Sequence, residues 1–276
     1  MQIIRHVFKH RFLTSRQILM LVGGSPQQLL RRLQLLYHHS FLDRPKAQID
    51  YYHRGGSHAL IYGIGHRGAK MLEDSFGVPR RKVDWTAKNQ NSKRLFLEHT
   101  ILIADVMIGL ELASRKNSKV RLIEQDTVLA QLPAKFRKDA DVCRWSVNLR
   151  HQQKSVQLPA VPDKVFGLQS TDDPQNISYF LLEADCGSMP VIRSNLNQSS
   201  FYRKLLAYHS TWKQGVFKDS LRRFRVLTVT AKPGRLETLI SAAGRLPDGQ
   251  GLFLFFHKGL FAPSADILNL LTNRNT

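Results

Sequence analysis

The chain has 276 residues, with 41 Lys or Arg against 21 Asp or Glu, a formal charge of +20 and a sequence pI near 10.3. At 42% hydrophobic and 22% charged it reads as a folded protein, which excludes a disordered chain, collagen-like repeats and low-complexity sequence, while the cationic excess calls for an acidic partner. The apolar runs are short or broken by charge, as by Asp105 within Ile101 to Leu110, and no membrane-crossing helix or membrane partner is expected. The opening residues, with Arg5, His6, Lys9, His10 and Arg11, lack a signal-peptide core, so the expected location is the bacterial cytosol, a cytoplasmic one. Cys143 and Cys186 form no CxxC pair, and neither a disulfide framework nor a thiolate zinc site is indicated. P-loop, GxSxG and HExxH patterns are absent, which removes the simple P-loop nucleotide-binding, hydrolase and zinc-protease readings.

Residues 1–82 hold 14 basic and 4 acidic side chains, against 27 and 17 in the remaining 194, so the positive charge is densest at the start. Thr14 or Ser15 caps an apolar helical turn through Ile18, Leu19 and Leu21, which Gly23 and Gly24 end. Ser25 and Pro26 then open a second helix whose buried face is Leu29, Leu33, Leu36 and Tyr37. Gln27, Gln28, Arg31, Arg32, Gln34 and His38 fall outside that face, and these are the side-chain types that reach base edges and phosphates from a helix in the major groove. A hydrophilic loop carrying Arg54 and His58 leads into an apolar strand, Ala59 to Ile64, as a hairpin with a basic tip, and a further helix runs from about His66 to Phe76. This is the order of a winged helix-turn-helix, and the partner expected is double-stranded DNA. RNA is the weaker partner, because no RRM, KH or double-stranded-RNA signature accompanies the charge.

Val83 to Lys93 is polar and aperiodic and reads as a linker, dividing the chain into 1–82, a linker 83–92, and a second domain 93–276. The second domain begins with a long amphipathic helix, Ser92 to Lys116, containing Glu98 and Asp105. Strand-like runs follow at Val120 to Ala130, Trp145 to Leu149, Val156 to Leu168 and Ile177 to Cys186. Then come a helix from Ser199 or Ser200 to about Trp212, a strand Arg225 to Ala231, a helix Pro233 to Leu246 and a strand Leu252 to His257. The expected fold class is α/β in the α+β sense, a mixed sheet flanked by helices.

Ile177, Tyr179, Leu181, Glu183 and Asp185 share one strand face, so two carboxylates extend an apolar stripe. Asp163 follows Pro162 at the start of the neighbouring run Lys164 to Leu168. Three carboxylates converging on rigid strands suit Mg²⁺ or Mn²⁺, which would polarise a phosphodiester and acidify a bound water, and Glu98 leans toward the same metal from the leading helix. Lys204 and Tyr208 share one helix face at i and i+4. Lys204 would orient the water or neutralise developing charge. Tyr208 is either a half-buried packing aromatic or the nucleophile of a covalent DNA intermediate.

The segments V-P-D-K-V-F-G-L, F-L-L-E-A-D-C-G and Y-R-K-L-L-A-Y together resemble the replication-relaxation family of plasmid and mobile-element proteins over nearly the whole chain. The resemblance implies an N-terminal winged helix, a leading helix with a His, as in Leu97-Glu98-His99, and a core similar to the PD-(D/E)-x-K restriction-endonuclease fold. Some relatives are relaxases that nick a plasmid transfer origin. By position, Asp163 and Glu183 match the metal-binding acids of that fold, whereas residue 185, usually Lys, is Asp185 here. Either Lys204 has taken over the lysine role from the helix or the site is silent. Two functions follow: a DNA-binding, Mg²⁺-dependent nickase or endonuclease acting in replication or transfer of a mobile element, or a catalytically silent DNA-binding regulator or replication accessory protein. Other replication, transfer or transposition proteins, and a second copy of the chain in a homodimer, are further partners considered.

Overall fold

The computed structural model describes residues 1–48, 59–79, 83, 86–138, 142–151, 154–262 and 266–272. Arg54 and His58, at the expected hairpin tip, lie outside the described residues. The chain divides into two compact units, Met1–Ile108 and Gly109–Thr276, and the division falls inside one long helix. Mixed α+β structure is present as expected. Among the described residues no helix is long and apolar enough to cross a membrane.

The first unit runs α1 (Gln2–His10), β1 (Leu13–Thr14), α2 (Ser15–Val22), α3 (Pro26–His38), β2 (Leu42–Asp43), β3 (Ile61–Ile64), α4 (His66–Phe76), α5 (Thr86–Gln90) and the start of α6 (Arg94–Lys116). Helix α1 lies outside the sequence expectation, because its buried residues Ile3, Ile4 and Val7 are interspersed among Arg5, His6, Lys9 and His10. Thr14 caps α2 in a reciprocal capping box with Gln17, whose amide also donates to Asp105 Oδ1 at 2.6 Å. Gly23 and Gly24 end α2 at φ of 72° and 88°, values that favour glycine. The three strands pair antiparallel in the order β1-β3-β2. Within the stretch read as a linker, residues 86–90 form α5 and Asn89 is buried, so this segment carries structure of its own.

In the second unit β4 (Val120–Ile123) is followed by α7 (Gln125–Gln131). The expected strand Val120 to Ala130 is therefore a short strand and a helix, since Glu124 stands at the N-cap and Val128 and Leu129 bury the adjacent positions of one turn. Two small strands, β5 (Arg137–Lys138) and β6 (Val142–Cys143), precede a hairpin of β7 (Trp145–His151) and β8 (Lys154–Ala160). The run Val156 to Leu168 is likewise broken, at Val161-Pro162-Asp163, into β8 and β9 (Lys164–Ser170). Then come β10 (Ile177–Asp185), α8 (Phe201–Lys213), β11 (Phe224–Thr230), α9 (Pro233–Ala243), β12 (Phe253–His257) and α10 (Ile267–Thr272).

The main sheet has the order β12-β11-β10-β9-β4, with β10, β11 and β12 parallel and β9 antiparallel to both β10 and β4. Tyr179, Leu181 and Val226 bury one face in a core shared with Leu205 and Tyr208 of α8 and Leu239 and Ala242 of α9. Phe166 and Phe180 are register partners on the other face and stack at 5.1 Å. A parallel connection needs a crossover, and here α8 links β10 to β11 and α9 links β11 to β12. Each crossover helix consequently starts at the C-terminal end of the strand before it, which decides which side chains meet there.

Candidate functional site

The strand alternation places Glu183 and Asp185 on the face toward α8 and α9, as the sequence indicates, and both are buried, at 2% and 5% exposure. The ladder between β9 and β10 continues one residue beyond Lys164, because the Asp163 N–H donates to the Leu182 carbonyl at 2.9 Å. The Ala184 N–H donates to Asp163 Oδ2 at 2.8 Å, so this carboxylate is held by backbone on the edge next to Glu183.

Lys204 and Tyr208 reach Glu183 together from the first two turns of α8. Lys204 Nζ lies 2.5 Å from Oε2, and the Tyr208 hydroxyl donates to Oε1. Burial pushes the Glu183 carboxyl up to about 7; the Lys204 charge opposes the rise and the neighbouring Asp163 charge adds to it. Burial lowers Lys204, but the charges of Glu183 and Asp163, with a smaller contribution from Asp185, outweigh it and hold the ammonium above its usual range. Lys204 is therefore a cation at neutral pH, suited to stabilising negative charge rather than to accepting a proton. Tyr208 is 1% exposed, and burial together with the Glu183 charge raises its phenol well above the ordinary value. Its ring lies 6.0 Å from that of Trp145, whose Nε1 donates to Thr211 at 2.7 Å, so hairpin and helix fix it in place. As placed, the hydroxyl serves to hold Glu183; attack on a phosphodiester would first require breaking that bond and exposing the ring.

Asp185 has different partners. Its Oδ2 accepts from Arg235 Nε at 2.6 Å and from the Thr230 hydroxyl at 3.0 Å, and Arg235 also donates to the Met189 carbonyl. Arg235 sits in the first turn of α9, delivered there by the β11 crossover. The expected three-carboxylate convergence thus becomes a pair, Asp163 with Glu183, flanked by a neutralised Asp185. Among the described residues no group of three or more His, Cys, Asp or Glu side chains is arranged to hold a metal. Magnesium ordinarily takes one or two protein carboxylates and completes its shell with waters and phosphate oxygens; Asp163 and Glu183 match that number, with the two Glu183 oxygens occupied by Tyr208 and Lys204 in this structure. Glu98 belongs to the first unit, where it is 47% exposed and ion-paired with Arg94 at 3.0 Å.

Three residues escaped sequence reasoning. Arg235 stands in the Pro-Gly-Arg start of a helix that follows a strand, a pattern that gives its position but not its partner. Thr228 is the register neighbour of Glu183 on β11, and its hydroxyl is buried with no hydrogen-bond partner among the described residues. Its signal is the alternation of Thr228 and Thr230 after the apolar pair Val226-Leu227 in β11. Arg203 precedes Lys204 and lines, with Glu183, Lys204 and Tyr208, a cavity of about 170 Å³.

In the first unit, Gln27, Gln28, Arg31, Arg32, Gln34 and His38 are all exposed along α3, as the helical spacing indicates, and Leu29 and Leu33 are buried. Leu36 and Tyr37 are half-buried, Tyr37 lying under the Arg44 guanidinium at 4.1 Å.

A family model described as replication-relaxation matches residues 4–227. No curated protein and no solved structure shows a significant match.

Proposed function

The chain belongs to the replication-relaxation family, and from that premise we propose that it is a DNA-binding, metal-dependent nickase or endonuclease that acts on the DNA of a plasmid or other mobile element. Membership itself ties the chain to replication and mobile-element biology. The observation that carries the finer reading is the meeting of Asp163, Glu183 and Lys204 at one end of the mixed sheet, two carboxylates and an ammonium drawn from β9, β10 and α8. Lys204 supplies from the helix the cation that a PD-(D/E)-x-K core ordinarily carries on the strand, where this chain has Asp185.

In this reading Asp163 and Glu183 would hold Mg²⁺ or Mn²⁺, which when bound polarises a phosphodiester and lowers the pKa of its water. Lys204 neutralises charge that develops on the phosphoryl oxygens, and its raised pKa keeps the proton on Nζ through the working pH range. Tyr208 fixes the rotamer of Glu183, and the Arg235 pair removes the charge of Asp185 from the neighbourhood of the phosphate. The first unit, read as a winged helix, docks on duplex DNA with α3 in the major groove, where Gln27, Gln28, Arg31, Arg32, Gln34 and His38 meet bases and phosphates.

The test is cleavage of supercoiled plasmid bearing the element's own origin region, in Mg²⁺, Mn²⁺ or EDTA, by wild type, Asp163→Ala and Glu183→Ala. Metal-dependent nicking that both substitutions abolish, with DNA binding retained, is the expected outcome. Tight salt-sensitive binding without cleavage in any metal would refute the nuclease reading in favour of a DNA-binding regulator.

A further inference from the structure

The cavity beside Glu183 has a charge balance opposite to that of a simple cation site. Its charged lining residues are Glu183, Arg203 and Lys204, two positive and one negative. Lys204 is committed to Glu183, whereas Arg203 is bound to no carboxylate among the described residues. The Arg203 Nε is buried and has no hydrogen-bond partner among the described residues. A buried guanidinium N–H left unpaired costs free energy, and the fold tolerates that where a ligand completes the bond.

The neighbouring backbone cannot take that role. The N–H groups of Phe201 and Tyr202 donate to the Pro190 and Val191 carbonyls, and that of Arg203 donates to the capping Ser200 hydroxyl. The start of α8 is thereby closed by its own chain, and donation into the cavity falls to side chains. At about 170 Å³ the space is an order of magnitude above the roughly 10–15 Å³ that admits one water. Its rim includes the exposed Val161 and Ser199, so it opens to solvent.

We propose that Arg203 is the phosphate-holding residue of this site: its guanidinium binds phosphoryl oxygens of a nucleic-acid backbone in the cavity, beside Glu183 and Lys204. A planar fork donating two N–H groups suits tetrahedral phosphoryl oxygens, and the net single positive charge of the lining matches one phosphodiester. The assignment deepens the nuclease reading and rests on it for the identity of the ligand, but the binding itself does not require catalysis.

Full-length protein is titrated in EDTA with a dinucleotide joined by a single phosphodiester and with its counterpart joined by an uncharged methylphosphonate, by calorimetry and by ¹⁵N NMR of the arginine Nε–H groups. The phosphodiester probe is expected to bind more tightly, by roughly tenfold to a hundredfold, as for a charge-assisted bond. Arg203→Gln should erase that preference and Arg203→Lys should keep part of it. In wild type the Nε–H resonance that Arg203→Lys removes should move downfield only with the phosphodiester probe, a signature that a packing role would not give and that requires no folded Gln variant. Equal binding of both probes by wild type, an unmoved Nε–H resonance, or an undiminished preference in folded Arg203→Gln overturns the proposal. If plasmid cleavage fails in every metal while the Arg203-dependent preference persists, the nuclease reading falls and the cavity stands as a backbone-phosphate clamp.

Discussion

Replacing Glu183 by Gln should change how stability depends on pH, and by a calculable amount. The carboxyl titrates at about 7 in the fold, against 4.5 for an exposed glutamate, because burial disfavours its charged form more than Lys204 favours it. A folded pKa above the unfolded one means that the folded state holds the extra proton. The stabilising contribution is complete below about pH 4.5 and is lost as pH rises through about 7. At about 1.4 kcal/mol per pH unit the full loss is about 3 kcal/mol, of which about 2 kcal/mol falls between about pH 5.5 and pH 8.5. Gln has the same shape and no charge to ionise. Its amide can accept from only one of the Lys204 and Tyr208 donors, a cost of about 1–3 kcal/mol that does not vary across this pH range. The informative quantity is therefore the change with pH in the difference between the two proteins, which should shift by about 2 kcal/mol in favour of Glu183→Gln on going to the higher pH. Urea unfolding of both proteins at the two pH values measures it, and by melting the shift corresponds to about 4–8 °C for a domain of this size. A difference independent of pH, or one moving toward wild type as pH rises, would mean that Lys204 outweighs burial and holds Glu183 in the ordinary acidic range.

Arg235→Ala strips the buried Asp185 carboxylate of its cation, and unfolding measurements should register a loss of about 3–5 kcal/mol; removing both partners as Asp185→Asn with Arg235→Met should recover much of it. Lys204→Met should lower plasmid nicking by roughly a hundredfold to a thousandfold while leaving filter-binding affinity for the same DNA nearly unchanged, and Lys204→Arg should fall between the two. Arg31→Ala and Arg32→Ala should each reduce the slope of log affinity against log salt by about 1, as measured by anisotropy titrations, provided each side chain touches a phosphate. A slope unchanged in both variants would remove α3 from the DNA interface.

The order of helices and strands was largely legible in the sequence because it depends on local patterns: the Thr14 and Ser200 caps, Pro26 and Pro233 at helix starts, Gly23 and Gly24 at a helix end, and two-residue alternation along β10. The same reasoning placed Glu183 with Asp185 on one face and Lys204 with Tyr208 on another, since periodicity alone fixes those neighbours. It misread Val120 to Ala130, where an apolar run of that length is compatible with either period, and it passed over α1, whose buried residues are spaced among basic ones. The choice of partners lay beyond it. Lys204 meets Glu183, and Arg235 meets Asp185, because parallel neighbours β10 and β11 end side by side and each crossover helix starts from that shared end, across 21 and 50 residues of chain. The fate of three similar acidic residues was decided there as well: Asp163 fixed by a backbone N–H, Glu183 buried with its proton near neutrality, and Asp185 neutralised by arginine. Composition supplies the charges, but desolvation and the cation each acid faces are properties of the assembled sheet and its helices.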